Sequence, residues 1–246
     1  MDGIMRLKKT KLIAATATAV MVMAPSLTAA ALTMDPVHTC AASTTLTKTW
    51  YVIGDSISAR NAFGAGDALC WWFNADQKVK GIINATGGAT YSDHRLNSSF
   101  MKAKDSKAPT VIIELGTNDV SRTKEPKTAD AVWTAIKSDL SAALTTLNPT
   151  PPAGTKNQCI VLVGLNENQD KVAGVWARHY SSAGAKTWNQ ELKKMVAKYS
   201  NVKYLSFETF GAAYPGMLTD GIHPSTSTAK TQYARTIAWA TKYLCG

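Results

Sequence analysis

The chain has 246 residues, 45% of them apolar and 18% charged, which suits one α/β domain with a substantial core. That balance excludes a disordered chain, a collagen-like repeat and a membrane bundle. The formal net charge is +10, but beyond the first residues Lys and Arg are scattered and no nucleic-acid motif accompanies them, so a dedicated nucleic-acid binder is excluded as well.

Residues 1–31 have the layout of a signal peptide. Arg6, Lys8, Lys9 and Lys11 form a basic start, Leu12 to Met23 is an apolar run too short to span a bilayer comfortably, and Ala29-Ala30-Ala31 supplies a small-residue cleavage site. Four basic residues and Asp2 lie in that segment, so of the +10 the mature chain keeps +7. The expectation is a secreted or cell-envelope protein, its charge suited to an anionic envelope surface. Residues 32–47, rich in Thr, Ala and Ser, read as an N-terminal arm, and residues 48–246 as one domain expected to be a monomer.

Five short runs rich in Val, Ile, Leu and Tyr then follow: Trp50–Ile53, Gly81–Asn84, Thr110–Leu115, Cys159–Val163 and Val202–Phe207. Continuous apolar runs suit strands buried on both faces of a parallel sheet. Helical patterns alternate with them, at Ala129–Leu147 (Val132, Ile136, Leu140 and Leu144 in one stripe), Trp188–Tyr199 and Ser225–Leu244. The alternation predicts a three-layer α/β/α sandwich around a five-stranded, mainly parallel, flavodoxin-like sheet, with ligands bound beyond the carboxyl ends of the strands.

Cys40, Cys70, Cys159 and Cys245 are an even set behind an export signal, which predicts two disulfides with the pairing left open. All four map to the end of the sheet opposite the strand carboxyl ends. Without a C-x-x-C pair, neither a zinc nor a redox site is expected, and no cofactor is called for.

The candidate chemistry falls just after strands. Gly54-Asp55-Ser56 places a hydroxyl where the first strand is expected to turn into a helix, near the positive end of its dipole. Gly87 and Gly88 follow the second strand, where backbone N–H groups are able to approach a ligand closely. Asn118, after the third, offers a neutral amide donor to a developing oxyanion. Asp220 precedes His223 by three residues after the fifth, close enough for its carboxylate to reach Nδ1 and leave Nε2 to take a proton. Each motif alone is equally a plain turn.

In series, Gly54-Asp55-Ser56, Gly88, Gly116-Thr117-Asn118-Asp119 and Asp220-Gly221-Ile222-His223 resemble the four blocks of the SGNH hydrolase (GDSL-like) superfamily over nearly the whole mature chain. The first block departs from the family pattern in having Ile57 where Leu is usual, a packing position. The resemblance favours Gly88 over Gly87. It implies Ser56 as nucleophile, His223 as base, Asp220 as its orienting partner, and an oxyanion hole made by the N–H groups of Ser56 and Gly88 with the Asn118 amide. Asp55 and Asp119 are read as loop braces. The implied activity is hydrolysis of a carboxylic ester (acetylated glycan, lipid or small acyl ester) through an acyl-enzyme, without metal or cofactor. The alternatives are a cell-envelope acyltransferase with the same triad and, from another class, a non-catalytic binding module.

Other residues compete for attention. Ser92-Asp93-His94 holds all three triad residue types, but neighbours in sequence are unable to form the required hydrogen-bonded chain. His38 belongs to the arm, and His179 lies in a long segment, Asn166–Ser182, that is placed to roof the crevice. Trp71 and Trp72 are expected in the core or floor rather than as a carbohydrate platform.

Overall fold

The computed structural model describes residues 32–41, 45–121, 129–147, 157–167, 182–218, 220–224 and 226–246. The described strands are β1 (His38–Thr39), β2 (Thr49–Gly54), β3 (Lys80–Ala85), β4 (Thr110–Glu114), β5 (Cys159–Val163) and β6 (Val202–Leu205). They form one six-stranded sheet in the order β1-β3-β2-β4-β5-β6. All neighbours are parallel except β1, which runs antiparallel along β3. The central strands are the most apolar: every residue of β4 is buried, as are the last five of β2. They have no solvent face for polar residues to occupy.

Helices α1 (Gly66–Trp71) and α8 (Ser227–Cys245) pack together, with a π-helical turn at Trp72–Asp76 between α1 and β3. Helices α2 (Tyr91–Leu96), α3 (Ser99–Asp105), α5 (Ala129–Leu147) and α6 (Ser182–Val196) pack as a second group, joined by the short α4 (Thr117–Ser121). The one-turn α7 (Phe210–Ala213) follows β6. Trp188 of α6 seals one part of the core against Tyr91 and Trp133, with ring centroids 5.7 and 5.5 Å away.

The sheet has one strand more than the sequence reading gives. The arm supplies β1 as a sixth strand, because the edge of β3 offers unpaired backbone groups and the arm caps them. The two disulfides are Cys40–Cys70 and Cys159–Cys245. Cys40 lies beside Gly81 near the start of β3 and Cys159 opens β5, so both bridges sit at the amino ends of the parallel strands. β2 lies between β3 and β4, and chain progression reverses there. That is the point at which an open α/β sheet leaves a crevice beyond its carboxyl ends.

Candidate active site

β2 delivers Asp55 and Ser56 to this crevice. Asp55 is fully buried, and its Oδ1 accepts the Ile57 N–H at 3.0 Å, which turns the chain sharply and leaves Ser56 half-exposed at the rim. The helix expected to open at Ser56 is not there. α1 begins only at Gly66, and the chain first makes a loop in which Ala65 N–H donates to Ile57 O at 2.8 Å. The side-chain turn at Asp55, and not a helix dipole, therefore sets the hydroxyl in place.

On the far side of the crevice, Asp220 folds its own loop. Its Oδ1 accepts the N–H groups of Ile222 and His223 at 2.9 and 2.7 Å. Its Oδ2 lies 2.6 Å from His223 Nδ1, and His223 Nε2 lies 2.8 Å from Ser56 Oγ. Partial burial pushes the Asp220 carboxyl up, but the bonds from the His223 side chain and from the His223 and Ile222 N–H groups outweigh it and hold it down at about 2. An ionised carboxylate accepts only, so Nδ1 carries the proton and Nε2 presents a lone pair to the serine O–H. Thr226, accepting the Ala229 N–H at 3.1 Å, caps α8 just after this loop.

Gly88 has φ +79°, a conformation that glycine adopts without strain, in a turn closed by Ala89 N–H donating to Thr86 O at 3.1 Å. Gly87 does not require such a conformation, so the two glycines are not equivalent. Gly116, with φ +120°, is needed on two counts, since a methyl group there would lie 2.7 Å from Trp188 Nε1. It brings Asn118 into the core beneath the rim, where the amide donates to Asp55 Oδ2 at 3.2 Å and to Ala89 O at 3.1 Å. The structure thus joins Ser56, His223 and Asp220 directly, but turns the Asn118 amide inward.

A carboxyl cluster that the sequence reading missed lies under Ser56. Glu114, the last residue of β4, is buried against Asp55 and accepts the Ser58 hydroxyl at 3.0 Å. Burial first, and then the Asp55 charge, push Glu114 well above the usual carboxylate range. Burial also raises Asp55 to about 6, against the opposing bonds from Ile57, Glu114 and Asn118. Asp119, accepting the Tyr91 N–H at 3.2 Å, is raised by burial to about 7. Position alone, the last residue of a strand one place before the Leu-Gly-Thr-Asn block, was the signal for Glu114. Asn189 was also missed. Its side chain accepts the Leu165 N–H at 2.7 Å and donates to Leu165 O at 2.8 Å, tying the loop after β5 to α6.

The remaining candidates separate clearly. Asp93 caps α2 with Thr90, and His94 donates from Nε2 to Gly54 O at 2.9 Å, so neither faces the crevice. His38 accepts from Arg60 at 2.7 Å. Trp72 is half-buried, whereas Trp71 is 58% exposed, so Trp71 does not pack as expected. His179 lies outside the described residues. Phe63, 58% exposed, stands with its ring centroid 5.9 Å from that of His223 and walls the rim. Among the described residues, no group of three or more His, Cys, Asp or Glu is placed to hold a metal ion.

No curated protein matches the chain in sequence. Among solved structures, the chain is similar to a lipase/acylhydrolase from Enterococcus faecalis, with a TM-score of 0.60 and 16% identity over 80% of this chain and 96% of that one. An acetylxylan esterase from Geobacillus stearothermophilus gives a TM-score of 0.56 and 16% identity, over 80% and 94% of the two chains. The C-terminal catalytic domain of a peptidoglycan O-acetyltransferase from Streptococcus pneumoniae gives 0.50 and 20%, over 81% and 93%. At these identities the likeness is one of fold. The model of the GDSL-like lipase/acylhydrolase family matches residues 52–230, from within β2 to the first turn of α8, a span that contains Ser56, Gly88, Asn118, Asp220 and His223, and the chain belongs to that family.

Proposed function

We propose that this chain is an exported serine esterase that cleaves small acyl esters of carbohydrate hydroxyls through an acyl-enzyme on Ser56. The observation that carries this reading is the unbroken line Ser56 Oγ, His223 Nε2, His223 Nδ1, Asp220 Oδ2, with gaps of 2.8 and 2.6 Å. In the first step His223 takes the serine proton as Oγ attacks the ester carbonyl, and Asp220 steadies the resulting imidazolium. The N–H groups of Ser56 and Gly88 receive the oxyanion, and Asn118 joins them by exchanging its bond to Ala89 O for the new charge. His223 then protonates the leaving alcohol and later deprotonates the water that frees the acyl group. Residues 1–31 direct export, and the two disulfides accord with an oxidising compartment. The esterase named among the structural neighbours acts on acetylated xylan, which agrees with a glycan ester here.

A fluorophosphonate probe combined with p-nitrophenyl acetate hydrolysis tests the reading. Covalent label on Ser56, lost in Ser56→Ala together with a fall in kcat of about 10⁶-fold, is the expected result. A folded protein that neither takes the label nor turns over the ester overturns it in favour of a binding module. Adding a glycan acceptor to the assay separates hydrolysis from acyl transfer.

A further inference from the structure

A groove runs down the sheet edge between the N-terminal arm and α1. Two cavities form it, of about 350 and 400 Å³, within the range of ligand pockets. They share Arg60 and His38 as a common wall. The upper cavity begins at Asn61, whose Oδ1 accepts the Phe63 and Gly64 N–H groups at 2.9 and 2.8 Å. Asn61 Nδ2 lies 3.9 Å from the position a Cβ would take at Gly87, so the upper end of the groove comes close to the turn that carries Gly87 and Gly88. The lower cavity ends at Trp71 and Asn74, beside the Cys40–Cys70 bridge. Between the levels of Ala85 and Gly81, β3 rises about 13 Å, the scale of a short oligosaccharide.

The chemistry of the walls selects among occupants. Asp35 offers a carboxylate and Asn61 an amide N–H to sugar hydroxyls, Asn74 is held to the arm by its bond to Ala41 O, and Trp71 offers a broad exposed ring face at the far end. Arg60 is not a bare cation: it is paired with Asp67 and donates to His38 Nδ1 at 2.7 Å. Burial first, and then the Arg60 charge, hold His38 below its usual value, which suits a neutral acceptor. With Asp35 nearby, the groove is close to charge-balanced and does not favour a polyanion. The upper cavity, walled by Asp35, His38, Arg60 and Asn61, is too polar for an acyl chain, and the lower one becomes more apolar only toward Trp71.

We propose that this groove binds the glycan chain of the ester substrate, with the acylated sugar over Ser56 and following sugars reaching Trp71. The inference rests on the esterase reading above and adds to it the polymer and its direction. The test uses the Ser56→Ala chain, which binds without turnover, titrated with O-acetylated xylo-oligosaccharides of two to six sugars. Affinity is expected to rise with length and level off once Trp71 is reached. Trp71→Ala in the same background should weaken binding of the longer oligosaccharides about tenfold, while Trp239→Ala, an exposed tryptophan on α8 outside the groove, should leave it unchanged. Length-independent affinity, or equal affinity with and without Trp71, overturns the proposal. So does loss of phosphatidylcholine vesicle binding on Trp71→Ala with oligosaccharide binding intact, which would make the groove a lipid contact. Wild-type hydrolysis of p-nitrophenyl acetate, run alongside, keeps the two readings apart. If it is present, a failed titration condemns only the groove. If it is absent, the esterase reading itself has failed.

Discussion

Two histidines bond to the exit of β2, and they are built for opposite ends. His223 reaches Ser56 Oγ at 2.8 Å, and His94 reaches Gly54 O at 2.9 Å. Both are buried. The difference lies at the other nitrogen. His223 Nδ1 faces the ionised Asp220, which stabilises the ring when it gains a proton. His94 Nδ1 is sealed in without a hydrogen-bond partner among the described residues, and burial drives that ring down to about 4 despite its carbonyl acceptor and the nearby Asp93 charge. Thus the same side chain is a proton carrier where a carboxylate meets one nitrogen and a rim meets the other. Where burial meets both, it is a neutral strut.

The comparison breaks first at the carboxylate. Asp220→Asn retains the shape of the loop but no longer fixes the proton on Nδ1, and kcat for p-nitrophenyl acetate should fall about 10⁴-fold. If Asp220→Asn keeps most of the wild-type rate, then Asp220 is a loop brace and the distinction between the two histidines is wrong. Asn118→Ala comes next. An oxyanion donor alone would be worth about 10²–10³-fold. Because this amide already serves Asp55 and Ala89, the loss should lie near the lower end, about 10²-fold in kcat, and a rate equal to wild type removes Asn118 from the reaction.

These expectations show which parts of the site were legible in the sequence. The strands were, because central parallel strands such as Thr110–Glu114 are apolar throughout and turn residues follow them. The meeting of Ser56, Asp220 and His223 at one rim was too: Ser56 stands directly after β2, and although α7 separates β6 from Asp220, the loop carrying Asp220 and His223 still returns to the carboxyl end of the sheet before α8. Three features were not. β1 is two residues long in an arm of unremarkable composition, and only the exposed edge of β3 accounts for it. The helix expected after Ser56 gave way to a loop because Asp55 uses its carboxylate to turn the chain there. The upward shift of Glu114 and the inward amide of Asn118 depend on which buried groups share a volume, a property of packing between β2 and β4 that neither segment encodes by itself.

His94 gives the smallest effect on rate and the sharpest test of the strut. His94→Ala removes the donor to Gly54 O and leaves a void, and it should destabilise the fold by about 3 kcal/mol while kcat stays within about tenfold of wild type. His94→Gln retains a donor and abolishes the titration. In the wild type, the unfolded ring takes up its proton as pH falls below about 6.5, whereas the folded ring resists to about 4. This group's contribution is therefore present at neutral pH and is lost between those values, at about 1.4 kcal/mol per pH unit. Asp55, Glu114 and Asp119 act in the opposite sense. Their raised folded values make the fold more stable as pH falls, and that advantage is lost as pH rises from about 4 toward about 6 for Asp55 and about 7 for Asp119. Urea unfolding of wild type and His94→Gln from pH 4 to 8 isolates the histidine in the difference between the two curves. That difference should be flat above pH 7 and should favour the variant progressively below it. Parallel curves throughout would mean that His94 takes up protons as readily as an exposed histidine and is not a neutral strut.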